Sequence, residues 1–89
     1  MKAIISVLGS DRPGIIAEVS AKLYEHNINI LDISQTILQD YFTMVMLVDL
    51  TGMKASYKEM TDVLAQTAEA IGVEIRMQRS EIFDAMHRA

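Results

Sequence analysis

The 89-residue chain contains no cysteine and no tryptophan, one proline, and an aromatic share of only 6%. Without a thiol, disulfides, thiolate nucleophiles, iron–sulfur ligation and cysteine-type zinc sites are excluded. No block of like charge occurs: the cations Lys2, Arg12, Lys22, Lys54, Lys58, Arg76, Arg79 and Arg88 are scattered, and twelve acids bring the net charge to -4. A protein that tracks phosphates gathers cations on one face, because counterion release supplies most of the non-specific affinity, so nucleic acid is not expected as a partner. Nor does the chain have the stacking aromatics that an RNA-binding domain displays on its central strands; Phe42 alone stands at the mouth of the third strand.

Long apolar runs are missing too, and the start Met-Lys leads straight into a strand-like stretch with no cleavage signal. No membrane contact is expected, and the cytoplasm is the default location. There is no phosphate-cradling glycine motif and no recognisable Ser, His and Asp spacing, so the chain is expected not to be an enzyme, with no catalytic residue and no cofactor. His26 and His87 lack a second ligand at helical or strand spacing, which leaves no metal site to predict.

What the sequence does have is apolar pattern. Hydrophobic residues make up 51% of the chain and fall in short runs throughout, which reads as one folded domain over residues 1–89, with its core in about 2–79 and a helical tail in 80–89. Residues 2–8 read as a strand ending at the cluster Gly9-Ser10-Asp11-Arg12-Pro13-Gly14. Ile15, Ile16, Val19 and Leu23 then recur at helical spacing, to an end near His26 or Asn27. An extended stretch from Ile28 to Gln39, a turn at Asp40-Tyr41 and a strand from Phe42 to Leu50 form a hairpin. A second helix runs from about Ser56 to Ile71 with Met60, Val63, Leu64, Thr67 and Ile71 on one face, and Gly72 sits where a C-terminal glycine belongs. Val73 to Arg79 alternates as a last strand, and Ile82, Phe83 and Met86 follow at helical spacing.

The order β-α-β-β-α-β predicts an α+β, ferredoxin-like sandwich: a four-stranded antiparallel sheet, two helices on one face and a short C-terminal helix. On the third strand Phe42, Met44, Met46 and Val48 share one face while Val45 and Leu47 make the other apolar as well. Something is then expected to cover that second face, either Ile82, Phe83 and Met86 or a second subunit.

Two segments could carry chemistry. Asp11-Arg12-Pro13-Gly14-Ile15 delivers a strand into a helix start, where free N–H groups can hold an anion and Gly14 lets a ligand approach the backbone. The same residues also read structurally, with Asp11 as the helix cap and Pro13 presetting the first turn. Asn27-Ile28-Asn29-Ile30 leads from the first helix into the second strand. Asn27 is explained as a left-handed helix end, whereas Asn29 is unusual in a strand and offers a zwitterion both donor and acceptor.

Gly9-Ser10-Asp11-Arg12-Pro13-Gly14-Ile15-Ile16 opening a helix, with His26-Asn27-Ile28-Asn29-Ile30 entering a strand, resembles the ACT-domain pattern over about residues 2–79. The likeness is to small stand-alone ACT proteins and to the ACT repeats of a glycine-cleavage regulator; the N-terminal segments of formyltetrahydrofolate deformylases are similar too, without their catalytic portion. The resemblance implies a regulatory, allosteric module that binds an amino acid at a homodimer interface and signals to a protein partner. It places the ligand against Asp11, Pro13, Gly14 and Ile15 of one subunit and Asn29 and Ile30 of the other. In the serine-inhibited phosphoglycerate dehydrogenase the position of Asp11 is an asparagine and that of Gly9 a histidine, so serine specificity does not carry over. An interaction or dimerisation module without a ligand is the other reading.

Overall fold

The computed structural model describes residues 1–80 of the chain. Its elements are β1 (Lys2–Ser10), α1 (Ile15–Glu25), β2 (Asn29–Leu38), β3 (Tyr41–Asp49), α2 (Tyr57–Ile71) and β4 (Val73–Arg79). They form one four-stranded sheet in the order β2-β3-β1-β4, with every neighbouring pair antiparallel. This is the expected ferredoxin-like sandwich. The proposed terminal helix with Ile82, Phe83 and Met86 lies outside the described residues.

Alternation decides which face of the sheet is dry. Ala3, Ile5 and Val7 of β1 and Phe42, Met44, Met46 and Val48 of β3 point to one side and are buried. Against them pack Ile15, Val19 and Leu23 of α1 and Met60, Leu64 and Ile71 of α2. Both helices therefore cover the same face, and Val73, Ile75 and Met77 of β4 extend the cluster half-buried. Val45, on the opposite face of β3, is 39% exposed.

Local chemistry ends the elements where expected. Gly72 closes α2 at φ 73 and Asn27 follows α1 at φ 58, both left-handed, and the Asn27 side-chain amide donates to the Gly52 carbonyl at 2.9 Å. The β2–β3 turn falls at Gln39 and Asp40, one residue earlier than the sequence suggests, because Tyr41 already pairs with Leu38 and with Ser10. β1 likewise runs on to Ser10. That extension brings the Asp11 N–H onto the Asp40 carbonyl at 2.8 Å.

Candidate functional site

α1 begins at Ile15, where the helical spacing of the sequence begins. The residue that caps this helix is Gly14 at φ 92, and among the described residues no side chain caps the first turn. Asp11 is therefore not the N-cap, and Pro13 precedes the cap instead of opening the helix. The first bond of the helical ladder runs from Glu18 N–H to the Gly14 carbonyl at 2.9 Å. The N–H groups of Ile15, Ile16 and Ala17 precede it and are open to an external acceptor. A left-handed cap with no side chain is the backbone state that glycine reaches at least cost.

Two long-range bonds hold the loop that presents this helix start. One is Asp11 N–H to Asp40; the other is the Arg12 guanidinium donating to the Ile71 carbonyl at 2.9 Å. α2 has no basic residue in its last turn, so Arg12 supplies the cation that a helix C-terminus favours.

An open-sided cleft of about 650 Å³ lies beside the loop, between α1 and the helix-side face of β2. Asp11, Arg12, Gly14 and Ile15 line it, together with Ile16, Ala17, Ser20, Gln35, Ile37 and Phe42. Of the predicted ligand contacts, then, Asp11, Gly14 and Ile15 come together, and Pro13 stays in the loop outside the lining. Ile16, Gln35 and Ile37 were not foreseen as lining; the one signal in the sequence was an aliphatic residue beyond the number a single buried stripe of α1 requires.

Asn29 and Ile30 lie elsewhere. Asn29 pairs with Asp49 and Ile30 with Val48, whereas the loop end of the sheet is marked by Leu38 opposite Tyr41. A strand of ten residues separates those ends, which at ordinary rise is about 30 Å. Within one chain Asn29 cannot reach a ligand at Gly14. Asp49 beside it keeps its carboxyl below the usual range, because the Thr51 hydroxyl and the Thr51 N–H both bond to it.

A second groove, of about 380 Å³, runs between the helices past Glu18, Lys22, Glu25 and His26. Its polar groups are largely satisfied among themselves: Lys22 pairs with Glu25 at 3.5 Å and the His26 ring meets the Lys22 carbonyl at 2.8 Å. Among the described residues no group of three or more His, Asp or Glu side chains could hold a metal ion, and no helix is long and apolar enough to cross a membrane.

The ACT domain family model matches residues 2–78. The chain belongs to the ACT domain family. A UPF0237 protein of Clostridium acetobutylicum is 51% identical over 88 residues, 99% of each chain. Among solved structures, the ACT domain protein from Streptococcus pneumoniae superposes with a TM-score of 0.83 at 41% identity, covering 98% of both chains. A candidate glycine cleavage system transcriptional repressor is similar over 88% of this chain and 44% of its own, with a TM-score of 0.73 at 26% identity. The regulatory subunit of aspartate kinase from Thermus thermophilus, in its ligand-free form, is similar over 86% of this chain and 50% of its own, with a TM-score of 0.66 at 28% identity. ACT domains are regulatory ligand-binding modules.

Proposed function

We propose that this chain binds a small amino acid at the open start of α1, acts as a homodimer joined along β2, and regulates a protein partner without catalysing a reaction. The observation that carries the reading is the uncapped first turn of α1 facing the cleft. The ligand's carboxylate takes the N–H groups at Gly14 and Ile15, and the Asp11 carboxylate takes its amine. Serine specificity has no support, since a Cβ at Gly9 would stand 2.7 Å from Val73 Cγ1 and a histidine there would force β1 and β4 apart.

The pairing follows from the position of Asn29. Among the described residues β2 is an outer strand with one edge unpaired, which a second copy can extend. An antiparallel two-fold about the middle of β2, near Ile33, carries Asn29 of the partner subunit to the loop end of the first. Ile30, which shares the helix-side face through its pairing with Val48, then completes a site that a single chain leaves half built, with Asn29 next to it on the strand. The absence of cysteine suits a reducing, cytoplasmic setting.

The test is thermal unfolding of the full chain against each common amino acid, alongside sedimentation. A binder gains RT ln(1 + [L]/Kd), about 2.7 kcal/mol at a hundredfold excess over Kd, and the expected mass is twice 10.0 kDa. A 10.0 kDa monomer at micromolar concentration removes the shared site. No response to any amino acid leaves an interaction module in its place.

A further inference from the structure

Resting on that amino-acid reading, we infer that the ligand's side chain is aliphatic, held between Ile16 of α1 and Ile37 of β2. The two isoleucines are the reason. Ile16 is 38% exposed and Ile37 52% exposed, yet both belong to the lining of one cleft. Ile37 stands opposite Phe42 in the β2–β3 ladder, and Phe42 is buried, so Ile37 points to the helix side, where Phe42 forms the floor. Large aliphatic groups left in water on both walls of a cleft mark an apolar surface kept for something else to cover.

Charge narrows the class further. The charged residues in the lining are Asp11 and Arg12, both in the loop. The Arg12 guanidinium is engaged by the Ile71 carbonyl, and Asp11 is the partner of the ligand's amine. The remaining polar groups of the lining are Ser20 and Gln35, and neither carries a charge that would pair with an ionised side chain. An aliphatic side chain needs no such partner and gains contact with Ile16, Ile37 and Phe42.

The experiment is titration calorimetry of the full chain with glycine, alanine, valine, leucine, serine, glutamine, glutamate and lysine, repeated on Ile16→Ser and Ile37→Ser. Each buried methylene is worth about fourfold in affinity, so leucine should bind tens of fold tighter than alanine. Both variants should lower leucine affinity by about tenfold while glycine affinity stays within about twofold. Sedimentation of each variant separates this effect from a broken dimer. Tightest binding by serine, glutamine, glutamate or lysine overturns the aliphatic assignment and leaves the amino-acid reading standing. So does an unchanged leucine preference in both variants. Failure of every amino acid to bind overturns both.

Discussion

The two helices begin in opposite ways. α2 is closed by its own side chains: the Ser56 hydroxyl accepts from Glu59 N–H at 3.1 Å, and the Glu59 carboxylate accepts from Ser56 N–H at 3.3 Å. That reciprocal box satisfies donors which would otherwise face solvent. α1 begins at a glycine with no side-chain cap, beside a cleft. A helix start that serves stability alone is sealed as α2 is. On the proposed function the open α1 donors are kept for the ligand, and the loop before them is held by two long-range bonds instead of by a side-chain cap.

Gly14→Val should break the contrast most severely. Nothing lies within 4 Å of a Cβ built at Gly14, so collision is not the cause; the cost is the backbone at φ 92. A β-branched residue held there should lose about 1–3 kcal/mol, read as a shift of the urea midpoint, and the reshaped loop should abolish amino-acid binding. Undiminished affinity in the folded protein would mean that the start of α1 is not where the ligand sits.

Ser56→Ala acts on the sealed end. Losing the box should cost about 1 kcal/mol in the same unfolding assay, with amino-acid affinity held within about twofold. Were this variant to weaken binding as Gly14→Val does, the two helix starts would not be separable in function and the contrast would fail.

Asp11→Asn should have the smallest effect on stability and the most specific effect on binding. Asp11 caps nothing, so the unfolding midpoint should stay within about 0.5 kcal/mol. Removing the charge should weaken amino-acid binding by several-fold, up to about tenfold for a charged hydrogen bond partner on the surface. Equal affinity for the two proteins would take the amine away from Asp11.

Much of the fold was legible because its determinants are local. Period-two alternation placed Phe42, Met44, Met46 and Val48 on the dry face, and period 3.6 placed Met60, Leu64 and Ile71 over them. The site was legible only in part. Asp11 reads as a cap because an acid before a helical pattern commonly is one; the bond from its N–H to Asp40 overrides that preference. Sequence spacing likewise put Ile16 with Val19 and Leu23, and only the position of α1 beside an edge strand turns Ile16 into the cleft.

By itself, then, the sequence determined the order of the elements, the faces they bury and the left-handed ends at Asn27 and Gly72, because hydrophobic period and backbone preference act over a few residues. Tertiary structure decided that Asp11 does not cap α1, which of its isoleucines stays in water, and that Asn29 stands at the far end of the sheet from Gly14. Those depend on strand register and on residues far apart in the chain, Asp11 with Asp40 and Arg12 with Ile71, whose meeting no local pattern encodes.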